Sequence, residues 1–239
     1  MERLQKVIAN SGFCSRRKAE ELILKKRVKV NGNLVTKLGT KINTKDIVTI
    51  DDEIINKEDK VYYLLYKPRG YVTTTSDDKK RKVVTELIDT DKRIYPVGRL
   101  DYDTTGVLIL TNDGTLANRL MHPKGEIDKV YIAKVEGIIK KETLKKLANG
   151  VYIDGIKTAP AKVRLKNQNR KTNTSLVEIT IHEGRNHQIK KMFETVGYKV
   201  LKLKREKVAF LDLKGLKASE YRKLNPKEVK QLYNYCNNK

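Results

Sequence analysis

Val97-Gly98-Arg99-Leu100-Asp101-Tyr102-Asp103-Thr104-Thr105-Gly106-Val107-Leu108-Ile109-Leu110-Thr111-Asn112-Asp113-Gly114 runs from a charged loop into an apolar segment and out through a turn. Val107 to Leu110 is a short run of β-branched and Leu side chains, closed by Asn112-Asp113-Gly114, and so reads as a buried strand ending in a turn. Asp101 then lies in the loop that feeds a core strand. A carboxylate there can be held by the sheet while its tip faces a cleft, with Arg99 two residues earlier as a candidate ion partner. On residue chemistry alone, Asp101 and Asp103 equally fit turn residues whose side chains satisfy loop amides.

The 239 residues allow one to two domains. A net charge of +23, from 52 Lys and Arg against 29 Asp and Glu, is the footprint of a polyanion-binding protein. No apolar run approaches the roughly eighteen residues of a membrane span, and Met1-Glu2-Arg3-Leu4-Gln5 opens no signal-peptide pattern. The expectation is a soluble, cytoplasmic nucleic-acid-binding protein. Cys14 and Cys236 form no CxxC pair and the three His are scattered, so neither a metal site nor a disulfide is expected. With twelve Tyr, three Phe and no Trp, stacking on bases falls to Tyr and Arg planes.

Toward the N-terminus, Leu4, Val7 and Ile8 share one helical face that ends at Gly12. Ser15 suits the cap of a second helix through Leu24, with Ala19, Leu22 and Ile23 as its buried stripe. Arg16, Arg17 and Lys18 crowd its first turn, where they oppose the helix dipole unless an anion relieves them. Val28-Lys29-Val30, Asn31-Gly32 and Leu34-Val35 read as a tight hairpin, and Ile47 to Ile50 as a further strand. Residues 1–45 carry twelve Lys or Arg and three Glu, a net +9. The mixed-charge stretch 51–60 reads as a linker.

From Val61 the pattern changes. Val61 to Tyr66 is an apolar and aromatic strand, followed by the Lys67-Pro68-Arg69-Gly70 turn, and Thr75 to Lys82 is a charged loop. Thr115 to His122 spaces Leu116 and Leu120 for a short helix stopped by Pro123. Ile127 to Val135 alternates, with Lys129, Tyr131, Ala133 and Val135 on one side. A helix over 142–147, a hairpin over 153–158, a strand through Leu165, a loop over 167–173 and a strand over 176–181 follow. His182 to Met192 then opens a helix buried through Ile189, Met192, Phe193 and Val196. Val200 to Leu203 and Val208 to Leu213 read as two strands separated by Lys204-Arg205-Glu206-Lys207. Glu220 to Leu224 reads as a last strand before a helix begun by Pro226.

Gly98-Arg99-Leu100-Asp101, Thr104, Gly106 and Leu110-Thr111-Asn112-Asp113-Gly114 together resemble the central motif of the ribosomal pseudouridine synthases, most closely the RsuA/RluB-type branch. The resemblance covers nearly the whole chain. Ser15-Arg16-Arg17-Lys18-Ala19 and the Val-Asn-Gly hairpin resemble the alpha-L RNA-binding domain of ribosomal proteins, Lys67-Pro68-Arg69-Gly70 the opening of the catalytic domain, and Gly184 to Lys190 the third family motif. The fold class implied is α+β. Residues 1–50 would form a small α/β RNA-binding domain, 51–60 a linker, and 61–239 a mixed, mainly antiparallel β-sheet catalytic domain.

The resemblance implies Asp101 as nucleophile, Tyr131 against the target base, and Lys190 paired with the catalytic Asp, with Arg185 competing for that pairing or meeting the RNA backbone. Arg16, Arg17, Lys18, Lys67, Arg69 and Arg99 would contact RNA, and Leu203 would line the uridine pocket. The isomerisation needs no cofactor or metal. Attack at C1′, attack at C6 and a glycal route all remain open. The partner implied is ribosomal RNA, on similarity that of the large subunit, with the small subunit as the alternative and a monomer as the acting form. A non-catalytic RNA-binding or ribosome-assembly protein and a DNA-binding protein are the competing classes.

Overall fold

The computed structural model describes residues 1–237, which fall into two compact units. The first comprises Met1–Val61 with Thr90–Ile94 and Thr111–Gly114. Helices α1 (Leu4–Asn10) and α2 (Arg16–Leu24) pack with a four-stranded sheet of order β2-β1-β3-β4, where β1 is Val28–Val30, β2 Asn33–Leu34, β3 Val48–Ile50 and β4 Glu53–Ile54. Leu4, Ile8, Ala19, Leu22, Ile23, Val28, Ile42, Val48 and Ile50 form its core. Ser15 caps α2, its hydroxyl accepting from the Lys18 amide at 3.1 Å. Val7 is only half-buried, whereas Gln5 is buried and donates to Glu20.

Asn31 and Gly32, at φ 50° and 80°, form the left-handed turn that a two-residue hairpin needs. Asp51 and Asp52, at φ 52° and 69°, make a second such turn, and Glu53–Ile54 pairs with β3. The linker reading of 51–60 is therefore corrected at its start. Charge suggested a solvated connector, but Asp51 is chelated by Arg27 and Asp52 pairs with Lys29 across the hairpin. Short Asp side chains tolerate the left-handed region.

The second unit comprises Tyr62–Asp89, Tyr95–Leu110 and the chain from Thr115 onward. Its strands are β5 (Tyr62–Lys67), β6 (Thr105–Thr111), β7 (Lys129–Glu136), β8 (Lys162–Asn169), β9 (Thr174–Ile181), β10 (Val200–Val208) and β11 (Tyr221–Lys223). They run in the order β8-β9-β7-β10-β6-β5-β11, with Leu211–Asp212 added on β10 and Tyr95–Val97 on β6. The pairs β8–β9, β9–β7, β7–β10 and β5–β11 are antiparallel, and β10–β6 is parallel. Helices α3 (Gly114–Met121), α4 (Lys141–Ala148), α5 (Gln188–Thr195) and α6 (Pro226–Asn237) complete the fold, which is α+β as expected. No helix of the described residues is long and apolar enough to cross a membrane.

Two sequence readings change. Asn167 to Asn169 extends β8 rather than opening a loop, and Lys204-Arg205-Glu206-Lys207 lies inside one continuous strand. Charge pointed to a break, yet Arg205 is 4% exposed and its Nε donates to the Val107 carbonyl at 2.8 Å, so a cation stitches β10 to β6. The same junction demands Gly106. It sits at φ 121° opposite Arg205, and a Cβ there would lie 2.2 Å from the Arg205 carbonyl oxygen.

Gly106→Ala therefore combines backbone strain with a clash against a neighbouring strand, and is expected to destabilise the second unit by at least ~3 kcal/mol. Denaturant unfolding measures it. A loss below ~1 kcal/mol would show that the β6–β10 junction is not built as described.

Candidate active site

The loop from Gly98 to Thr104, which enters β6, is fixed by its backbone at several points. Thr73 Oγ1 donates to the Leu100 carbonyl at 2.6 Å and accepts from the Leu100 amide at 3.2 Å. Gly70 N–H donates to the Tyr102 carbonyl at 3.0 Å, and Thr104 N–H donates to the Asp101 carbonyl at 3.1 Å. Beneath them Lys67 is fully buried, its ammonium donating at 3.0 Å each to the carbonyls of Pro68, Asp101 and Thr104. Burial pushes the Lys67 ammonium down to about 8, against the pull of Asp101 and Asp103. The expectation that Lys67 contacts RNA is corrected. With no exposed surface it cannot meet a phosphate, and it serves as an internal brace.

Asp101 projects from this braced loop toward the start of α5. Its Oδ2 lies 3.1 Å from Lys190 Nζ and its Oδ1 lies 3.5 Å from His187 Nε2. Lys190 also donates to Asp103 Oδ1 at 2.7 Å. Burial works to lower the Lys190 ammonium, but the hydrogen bonds and charges of Asp103 and Asp101 outweigh it, so its pKa is raised. For Asp103 burial is likewise outweighed, by Lys190 and then Arg69, and its carboxyl is held low. The ammonium therefore stays charged between two carboxylates well past neutral pH.

The competition between Lys190 and Arg185 is resolved in the geometry. Arg185 precedes the helix and donates to the carbonyls of Ile156 and Lys157 at 3.0 and 2.8 Å, and it pairs with Glu183 at 3.2 Å. It bolts the Tyr152–Lys157 hairpin to the α5 approach and makes no ion pair with Asp101 among the described residues, while its side chain stays 31% exposed. Arg99 is exposed and makes no ion pair with Asp101 among the described residues. Arg69 is also exposed, with its charge felt at Asp103.

Tyr131 on β7 is 8% exposed and pairs in register with Arg205, while Leu203, 7% exposed, pairs with Ala133. These four side chains share one face of the sheet. Lys129, next on that face, donates to the carbonyls of Ile127 and His182, and burial followed by the Arg205 charge lowers it to about 8. In the first unit Arg16, Arg17 and Lys18 stand exposed on the first turn of α2, which holds no acidic residue.

His187, Thr73 and Arg205 were not singled out from the sequence. His187 lies within the Gly184–Lys190 motif and adopts a left-handed backbone, φ 52°, immediately before α5. That conformation, which no local pattern signals, turns its ring toward Asp101. Thr73 carries no signal at all, being one Thr in a polar segment.

If Lys67 is a brace, Lys67→Met should lower the single-turnover rate at least tenfold while leaving RNA affinity within about threefold, because a displacement of order 1 Å at the reacting group costs that much or more. The sign with pH follows from its pKa. The wild-type rate should decline above pH about 8, as the ammonium loses a proton and one of three carbonyls loses its donor, and this decline should be absent in the variant. Weakened RNA binding with an undiminished rate would instead restore Lys67 as an RNA contact.

Comparison with known proteins agrees with this architecture. Residues 61–195 match the family model described as RNA pseudouridylate synthase, and residues 2–58 match the S4 domain. The chain is 56% identical to the ribosomal large subunit pseudouridine synthase B of Bacillus subtilis (strain 168), over 97% of this chain and 96% of that protein. It is 43% identical to an uncharacterized RNA pseudouridine synthase of Aquifex aeolicus (strain VF5), over 97% and 93% of the two chains. A crystal structure of a pseudouridylate synthase superposes with a TM-score of 0.68 at 32% identity, covering 97% of this chain and all of the other. With an S4 domain ahead of a mixed sheet whose central loop presents Asp101 to Lys190, the chain belongs to the RNA pseudouridylate synthase family.

Proposed function

We propose that the protein isomerises a specific uridine of large-subunit ribosomal RNA to pseudouridine, with Asp101 as the nucleophile. The observation that carries this reading is the Lys190 ammonium 3.1 Å from the Asp101 carboxylate, on a loop whose backbone is pinned by Lys67 and Thr73. The reaction breaks the C1′–N1 bond, turns the uracil and forms a C1′–C5 bond. One proton leaves C5 and one is gained at N1, so no net redox change occurs and no co-reactant is consumed. A carboxylate nucleophile is the reagent this needs, and a neighbouring cation balances the charge at the site.

Extruding the uridine costs a few kcal/mol of stacking, offset by contacts with the basic surface. Tyr131 and Leu203 share the sheet face that would receive the base, Tyr131 stacking on it and Leu203 closing the apolar side. Arg16, Arg17 and Lys18 on α2, with Arg69 and Arg99 near the Asp101 loop, would hold phosphates. The large-subunit assignment rests on the 56% identity to the Bacillus subtilis protein named for that subunit. Action as a monomer in the cytoplasm, on nascent large subunits, completes the reading.

The test is tritium release from ribosomal RNA labelled at uracil C5. Asp101→Asn keeps the side chain's size and removes its charge, and release is expected to fall by at least ~10³-fold with RNA affinity nearly unchanged. Equal release from wild type and variant would remove Asp101 as nucleophile.

A further inference from the structure

The sheet of the second unit has two faces of different character. On the face of Tyr131, the residues Ala133, Val135, Val177 and Ile179 are buried. On the opposite face, Val130, Ile132, Lys134, Leu176, Glu178 and Thr180 of β7 and β9 are only half-buried, and Arg164 and Lys202 on the flanking strands are exposed. Strand register assembles this second face into rows. Arg164, Glu178, Ile132 and Lys204 lie side by side across β8, β9, β7 and β10. Leu176, Lys134 and Lys202 form the next row, and Lys162 stands beside Thr180 in the row on the other side.

Two acidic groups here are already engaged, and Glu136 lies exposed at the end of β7 beside Thr174. Glu178 pairs with Lys166 at 3.4 Å and Glu206 with Lys204 at 3.0 Å, while Lys204 also sits 5.1 Å from the Tyr66 ring centroid. Lys134, Lys162, Arg164 and Lys202 make no ion pair among the described residues. These uncompensated cations stand on three strands, β8, β7 and β10, which with β9 between them span about 15 Å, on a floor of aliphatic side chains that are themselves half-covered. A protein partner would need a large apolar or aromatic anchor at the patch centre, and a membrane would need one that inserts. The rows present neither. A sugar-phosphate backbone needs only spaced cations.

We propose that this face, pointing away from Tyr131 and Leu203, is a second RNA-contacting surface that takes the backbone of folded ribosomal RNA outside the stem carrying the target uridine. It rests on the reading of ribosomal RNA as substrate and adds to it a determinant for large, structured RNA over short fragments.

The test compares wild type with the triple variant Lys134→Gln, Lys202→Gln, Arg164→Gln. Two RNAs are used: a full large-subunit transcript, and a short stem-loop cut from around the uridine that the wild type converts. A thermal melt matching wild type confirms that the variant is folded. On the full transcript, the slope of log affinity against log salt should shrink by ~2 to 3, with affinity about tenfold weaker near 0.15 M salt. Single-turnover tritium release from saturating stem-loop should stay within twofold. Glu178→Gln should act in the opposite direction, tightening the full transcript. An unchanged slope on the full transcript, or an equal loss of affinity on both RNAs, would overturn the proposal. Loss of binding to precursor ribosomal particles, with binding to the naked transcript intact, would also overturn it and assign the face to a protein. Wild-type tritium release tests the pseudouridylation reading separately, so failure of one is distinguishable from failure of the other.

Discussion

One ammonium group, Lys190 Nζ, stands between the carboxylates of Asp101 and Asp103 at 3.1 and 2.7 Å, and the arrangement of the second unit makes sense as a means of holding it there. Two carboxylates this close would repel each other, and the shared cation offsets that repulsion. The elements that meet at the pair come from distant parts of the chain. The Asp101 loop feeds β6, Lys190 sits in the first turn of α5, and the parallel contact between β6 and β10 locks the intervening sheet. Gly106 permits that contact, and Arg205 ties it through the Val107 carbonyl.

Cations in this unit do two kinds of work. Lys190, Arg69 and Arg99 are partly or fully open to solvent, where they can meet an anion. Lys67, Lys129 and Arg205 are turned inward onto backbone carbonyls, holding loops and strands that apolar packing alone would leave underdetermined. A buried ammonium is costly unless its donors are satisfied, and Lys67 satisfies all three. The high net charge is therefore divided between a surface suited to RNA and an interior of charged braces.

That division explains what could be read from the sequence and what could not. The apolar runs 107–110 and 176–181, the Ser15 cap and the Asn31-Gly32 turn announced their elements because each rests on a local rule of periodicity or backbone preference. Asp101 and Lys190 were recognisable through ordered motifs. Lys67 was misread as an RNA contact because a basic residue in a turn looks the same whether it faces solvent or carbonyls. Arg205 was misread for the same reason, its charge suggesting a break where the strand continues. His187 depended on a left-handed backbone fixed by tertiary context, and Thr73 on a contact between loops some 27 residues apart.

The Lys190 ammonium balances the Asp101 carboxylate and aims it, and the direct measurement of that role is the single-turnover rate of pseudouridine formation in Lys190→Met and Lys190→Arg. The Met variant should lose at least ~10²-fold, with RNA affinity changed only slightly, while the Arg variant, which restores a cation within reach, should stay within about tenfold of wild type. A Met variant that turns over at the wild-type rate would contradict it.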